Sequence, residues 1–444
     1  MRFMAIIRRS TGSVLAAVAA AALGATPAAS AQGIYEPVPL KDKEHTLIET
    51  SRELHAYFAQ RTALYGDPKV AALVSRIGEE LAPPATDDYI QYHFYVLRDP
   101  SPNAFALPNG DVYVHTGMLA RLADDAELAA VLAHEVNHVA GHHAIVDYRS
   151  SNKKIIAGLV LSGVFGGLGS LISAGLYTSL YGFSRELEQE ADDRAVLILR
   201  NSRFDPHALP EIYDILAQDY DGVQPRIATV WSTHPQLQER AARTRAQVAD
   251  APVGQRDADL FDSVVLPVRT MTIRDYIQDD YPQTAVALAT DLTERYPSRP
   301  EFYALLGDAW AAMGARAQID PSELTNAQKR RNAVRRVTKT RQERAKDRLA
   351  TEEGRAALAS NLSRARDAYH KAIEIDSSSA PAYRGLGEVE TALGDPRAAA
   401  RAYLDYLQRA PDAADRPVVL QRLGVLRDQL SDQENGNGQP KGPH

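Results

Sequence analysis

From Lys41 to Leu81 apolar residues recur mostly at spacings of three and four: Leu47, Leu54 and Phe58, then Val70, Leu73, Val74 and Ile77. That period puts them on one face of a helix, so the stretch predicts helices, closed by Pro83-Pro84. The rhythm then shortens. His93-Phe94-Tyr95-Val96-Leu97, Phe105-Ala106-Leu107 and Asp111-Val112-Tyr113-Val114 read as strands, and Pro108-Asn109-Gly110 joins the last two as a hairpin turn. A long helix is predicted next, with Asp124, Asp125 and Glu127 suited to the positive end of its dipole. Ile155 to Phe183 breaks every period: it holds no charge and seven glycines. It is long enough to span a bilayer, but a span is more often Leu-rich. It reads as an apolar covering segment or a membrane-touching helical hairpin, with a true span and buried core as the alternatives.

Beyond about Asp250 the pattern becomes Ala-rich and helical, and a repeat emerges. Leu386-Gly387, Ala399, Tyr403 and Pro411 have the spacing of a tetratricopeptide repeat, and Ala365, Tyr369 and Ser377 occupy its last three positions thirty-four residues earlier. A third, degenerate copy runs through Ala285, Ala289 and Pro297 to Leu306-Gly307. Gln328 to Leu349, with ten basic residues, interrupts the series. An unrelated helical bundle is the alternative. A repeat stack presents a concave surface suited to binding, not catalysis.

The chain has 444 residues, too many for one ordinary core, and its 45% hydrophobic and 24% charged content is that of a globular protein. A formal charge of −7 argues against nucleic acid as a partner. Arg2, Arg8 and Arg9, the Ala-rich run Val14 to Ala25 and the small residues Ala29-Ser30-Ala31 form an export signal with a mature start at Gln32. A membrane anchor is the alternative, although the apolar run falls short of roughly 20 residues. There is no cysteine, so metal ligands have to be His, Asp or Glu. Export without cysteine favours a bacterial envelope. The expected organisation is a signal peptide (1–31), a first folded domain (32–255), a repeat domain (256–430) and a disordered polar tail (431–444).

His134-Glu135-Val136-Asn137-His138 lies in the predicted long helix. Residues i and i+4 share a face, so both imidazoles reach one metal ion. A zinc ion acidifies its water to a pKa of about 7, and the Glu135 carboxylate beside it takes up the proton. A third ligand is needed. A metzincin would have His at position 144, but Ala144 stands there and His143 is one residue short. Downstream, Phe183 to Asp192 offers two carboxylate pairs on opposite helix faces, Glu186/Glu190 and Glu188/Asp192. The second shares its face with Ala191 and Ala195, which permit close approach to the first helix. Glu188 as ligand and Asp192 as acceptor for a ligand imidazole form the chemically complete choice; a solvated edge is the reading for Glu186 and Glu190.

These segments, with Leu64-Tyr65-Gly66-Asp67-Pro68, Asn103 through Gly110, and Ser232-Thr233-His234-Pro235 through Arg240, run in order across most of residues 64–240. Together they resemble the HtpX and CAAX-prenyl-endopeptidase superfamily of gluzincins, and within it the periplasmic, tetratricopeptide-bearing BepA-like proteases. The resemblance implies a mainly α fold with a small β-sheet: a gluzincin metalloprotease domain followed by an α-helical repeat domain. It implies one Zn²⁺ per chain on His134, His138 and Glu188, Glu135 as base, and His234 and Arg240 as active-site accessories. His234 precedes Pro235 in a loop-like stretch, where it reads as a latch over the metal, an oxyanion helper or a structural turn. The implied function is endopeptidase action on misfolded or stalled envelope proteins in the periplasm, with repeats that dock substrates or an outer-membrane assembly machine. The alternative is an assembly adaptor with secondary proteolysis. The short, interrupted repeat array departs from the family pattern.

Overall fold

The computed structural model describes residues 35–61, 63–150, 183–222, 236–279, 281–316 and 351–436. The expected signal, the apolar segment 155–182, His234, the basic insertion and the end of the tail lie outside them.

The fold is mainly α with one small sheet. Helix α1 (His45–Gln60) buries Ile48, Ser51, Leu54 and Phe58, so Ile48 and not Leu47 begins its inner stripe. Helix α2 (Pro68–Leu81) starts where Pro68 fixes the first turn and Asp67 accepts from the amides of Lys69 and Val70. Strands β1 (His93–Leu97), β2 (Ala104–Ala106) and β3 (Asp111–His115) form a sheet of order β1-β3-β2. β1 runs parallel to β3, with Phe94 opposite Val112, and β2 runs antiparallel to it, with Phe105 opposite Tyr113. The turn before β3 needs glycine: Gly110 has φ +99°, and a Cβ there would fall 2.3 Å from the Gln91 carbonyl oxygen.

A short helix, α3 (Thr116–Leu119), leads to α4 (Asp125–Ala140), and all sixteen residues of α4 are buried. Its N-terminus is capped reciprocally. Asp124 accepts from the Glu127 amide at 2.9 Å, and Glu127 accepts from the Ala123 amide. Burial pushes the Glu127 carboxyl up to about 7. After α5 (His143–Ser150) come α6 (Arg185–Arg200), α7 (Ala208–Gly222) and α8 (Leu237–Val248); α2, α6, α7 and β2 all pack on α4.

Among the described residues the remaining helices are α9 (Ala258–Gln278), α10 (Pro282–Arg295), α11 (Pro300–Arg316), α12 (Glu352–Ile375), α13 (Ala380–Leu393), α14 (Pro396–Arg409) and α15 (Arg416–Gly436), each packed on the next. The hydrophobic core does not divide at residue 255. Phe261, Val265, Val268, Ile273 and Tyr276 of α9, with Leu288, Leu292 and Phe302 beyond, belong to the cluster that also holds the apolar residues of α2 and α4. Arg269 of α9 is fully buried and donates from Nη2 to the Leu122 carbonyl at 2.6 Å. Separate apolar clusters begin with α11 and α12. There the Leu-Gly and Tyr positions of the sequence pattern meet across helices: a Cβ on Gly307 would lie 2.5 Å from the Tyr369 ring, and one on Gly387 2.7 Å from Tyr403. Helix α15 extends to Gly436, six residues into the stretch expected as a polar tail. Among the described residues no helix is long and apolar enough to cross a membrane.

Candidate metal centre

Helix α4 brings His134 and His138 to one face, one turn apart, and α6 crosses that face with Ala191 and Ala195 fully buried between them. Small residues at this contact let the backbones approach, so Glu188, one turn before Asp192, reaches the histidines. The buried stripe of α6 is Glu188, Ala191, Asp192, Ala195, Val196 and Leu199, a helical period of three and four. Glu186 is exposed, and Glu190 pairs with Arg194 at the half-exposed edge.

Ligand atoms of His134, His138 and Glu188 lie within 4.8 Å of one another. The Nε2 atoms of the two imidazoles are 3.0 Å apart, and the Glu188 oxygens stand 3.6 and 3.7 Å from them. All three side chains are at most 8% exposed. The outward nitrogens are occupied: His134 Nδ1 meets Asp192 Oδ1 at 3.1 Å, and His138 Nδ1 meets His143 Nδ1 at 2.9 Å. Two inward imidazole nitrogens and a carboxylate, buried and held from behind, match the donor set of a catalytic zinc ion. Glu135, also buried, lines a cavity of about 30 Å³ with His134, beside the apolar side chains Met118, Val131, Ile212 and Leu237.

Asp192 is the hub behind the ligands. It is fully buried and takes bonds from Arg240 Nη2 at 2.6 Å, Arg240 Nε at 2.9 Å, Arg243 Nη2 at 2.8 Å and Tyr213 Oη at 2.5 Å. Burial alone opposes its charge, but Arg240 and the hydrogen bond to His134 hold the carboxyl well below the usual carboxylate range. Arg240 also pairs with Glu188 through Nη1 at 2.9 Å, and its Nη2 donates to the Tyr213 hydroxyl at 2.8 Å. Its guanidinium therefore holds the carboxylates of α6 while lining the same cavity as His134 and Glu135. Burial pushes the Tyr213 phenol well up, so it stays a neutral donor to Asp192.

Tyr213, Arg243 and the contact of His143 with His138 have no counterpart in the sequence reading. Tyr213 lies in an apolar helical period where a tyrosine signals only core, and Arg243 follows Arg240 by one helical turn. His143 entered that reading only as a displaced metal ligand. His234 lies outside the described residues.

Residues 68–248 match the model of peptidase family M48. The chain is 30% identical over 194 residues to the mitochondrial metalloendopeptidase OMA1 of Schizosaccharomyces pombe, covering 42% of this chain and 56% of that protein. It is 28% identical over 211 residues to the beta-barrel assembly-enhancing protease of Escherichia coli K12, covering 45% and 43%. It is 30% identical over 165 residues to the metalloprotease LoiP of the same organism, covering 36% and 63%. The chain thus spans about half the length of these curated relatives.

Proposed function

We propose that this chain, whose residues 68–248 are a domain of peptidase family M48, is a zinc-dependent endopeptidase acting on unfolded segments of cell-envelope proteins. The observation that carries this reading is the buried convergence of His134, His138 and Glu188 beside the Glu135 carboxylate. When bound, Zn²⁺ supplies Lewis-acid chemistry, acidifying water and polarising a peptide carbonyl. His134, His138 and Glu188 hold it, and Asp192 fixes the His134 ring through Nδ1. Glu135 takes a proton from the attacking water and returns it to the departing amine, the general acid–base role of a positioned carboxylate. Arg240 keeps Glu188 and Asp192 oriented and offsets their charge.

Strand β2 is an edge of the sheet as described, and Asn103 and Ala104 line the same cavity as His134 and Glu135. An extended peptide adding to that edge lies along the site, which selects unfolded chains over native ones. Helices α12 to α15, stacked onto α11, carry apolar clusters of their own and suit docking of a long substrate or an outer-membrane assembly partner. The signal-like first 31 residues and the name of the E. coli relative support a periplasmic setting.

The test is a set of three variants, assayed for zinc content and for digestion of unfolded casein with and without chelator. Glu135→Gln keeps the metal and loses about 10²- to 10⁴-fold in turnover. Glu188→Gln loses metal and activity together, whereas Glu186→Gln changes neither. Wild-type-like turnover in Glu135→Gln rejects the mechanism, and equal zinc in all three rejects the ligand set.

A further inference from the structure

The two imidazoles of the centre are held from behind by different chemistry. His134 Nδ1 faces a carboxylate, Asp192, at 3.1 Å, whereas His138 Nδ1 faces another imidazole, His143 Nδ1, at 2.9 Å. Two ring nitrogens at that distance share one proton, one donating and the other accepting. With Nε2 of His138 given to a metal, its Nδ1 has to carry the proton. His143 Nδ1 is then the acceptor, and the remaining ring hydrogen of His143 sits on Nε2.

The local backbone is built around that contact. Helix α4 ends at Gly141, where a Cβ would fall 2.4 Å from His143 Nε2 and 2.6 Å from its Cδ2, so the ring fills room that only glycine leaves. His142 then takes the left-handed conformation, φ +53°, uncommon for a residue with a side chain. Its ring is anchored by the Tyr89 hydroxyl at 3.0 Å and Thr86 Oγ1 at 3.2 Å. This turn starts α5 with His143 directly beside the last turn of α4. His143 is fully buried, and its Nε2 has no hydrogen-bond partner among the described residues; Glu190 Oε2 stands 3.7 Å away. On another side, the Phe183 ring stacks on His138 with centroids 4.1 Å apart. A buried ring with one nitrogen unsatisfied is a poor choice for filling space. The other nitrogen gives it a task.

We propose that His143 is a positioning residue of the metal centre. Its Nδ1 accepts the Nδ1–H of His138, fixes that ring's tautomer and plane, and keeps Nε2 aimed at the point shared with His134 and Glu188. It does so as a neutral acceptor, so one ligand is backed by a carboxylate and the other adds no negative charge to the site. The inference rests on the metalloprotease reading and assigns a role that the motif itself does not contain.

The test compares His143→Asn with His143→Leu in the full chain. Asn carries its Oδ1 on Cγ, where His carries Nδ1, and so retains an acceptor; Leu has the same branching and no acceptor. Zinc affinity is measured by competition with a chromophoric chelator, and the unfolding midpoint is measured on metal-free protein. The expected result is a loss of about 10- to 100-fold in zinc affinity for Leu, with Asn close to wild type. Both variants should unfold alike without metal, which a purely space-filling His143 would not separate from the affinity result. Equal affinity in the Leu variant and wild type overturns the proposal, as does an equal loss in Asn and Leu. If wild type binds no zinc, the metal reading itself falls, and this inference with it.

Discussion

Helix α4 buries every one of its sixteen residues, whereas α14, built from similarly Ala-rich sequence, buries Ala399, Ala402, Tyr403, Tyr406 and Leu407 and leaves Leu404 in solvent. The difference lies in the neighbours. α4 has helices and a strand around it, while α14 lies between α13 and α15 in a stack. A helix enclosed on all sides has no solvated face for its polar residues, so His134 is met by Asp192 of α6, His138 by His143 of α5, and Asn137 by the Tyr35 hydroxyl and the Ala133 carbonyl. Such partners matter. Removing one member of a buried charged pair costs about 3–5 kcal/mol, against about 0–1 kcal/mol for exposed pairs such as Arg427–Asp428. The stack has simpler needs: an apolar stripe, close glycine–tyrosine contacts and ion pairs at its surface.

The sharpest way to break this contrast is to cut the chain. A protein ending at residue 255 loses Phe261, Val265, Val268, Ile273 and Tyr276 from the shared core, and loses the Arg269 donor to the Leu122 carbonyl just before α4. It should show no cooperative unfolding and hold no zinc. A protein ending at Arg316 keeps these contacts and should retain both its fold and hydrolysis of small peptides, as circular dichroism and a peptide assay would establish. Zinc binding by the shorter chain would mean that α9 is not part of the site-bearing unit.

A smaller effect probes the stack. Tyr369 is buried against Gly307 and Gly385, and its hydroxyl donates to Asp308 Oδ1 at 2.6 Å. Tyr369→Ala should destabilise the C-terminal helices by about 3–5 kcal/mol, read as an earlier unfolding transition. Zinc content and small-peptide cleavage should stay at wild-type levels; their loss would show that the two regions are not separable.

The sequence made the chemistry more legible than the packing. The i, i+4 histidines and the carboxylates four residues apart on α6 are short-range patterns, and helical period alone places each pair on a face. Ala191 and Ala195 marked the face of α6 that meets α4, so the position of Glu188 was accessible as well. The continuation of the core through α9 was not. The shift to Ala-rich sequence near Asp250 looks like a domain border, because composition reports how a helix is built and not what it rests on. Nor was the enclosure of α4 legible: with apolar residues on several faces, its period does not distinguish a central helix from a peripheral one. The Tyr213–Asp192–Arg240 network joins three helices and has no local signature at all.

The mildest prediction returns to α4. Burial raises the Glu127 carboxyl from its ordinary value of 4.5 to about 7, so the folded state binds this proton more tightly than the unfolded chain does. The associated stability is fully present below pH 4.5 and is lost as pH rises through 7, on the order of 3 kcal/mol at most. Glu127→Gln keeps a side-chain acceptor for the Ala123 amide and cannot ionise. Urea unfolding at pH 5 and pH 8 should show a smaller decline in the variant than in wild type. An identical decline would place the titration elsewhere.

The sealed position of α4 also sets an order of opening. Backbone amides enclosed on every side exchange with solvent only through large-scale unfolding, whereas amides on a helix with one wet face exchange through smaller openings. His134 and His138 ride on the first kind of element and Glu188 on the second, since α6 leaves Asp193 and Leu197 exposed. In a deuterium-exchange time course α4 should therefore label last.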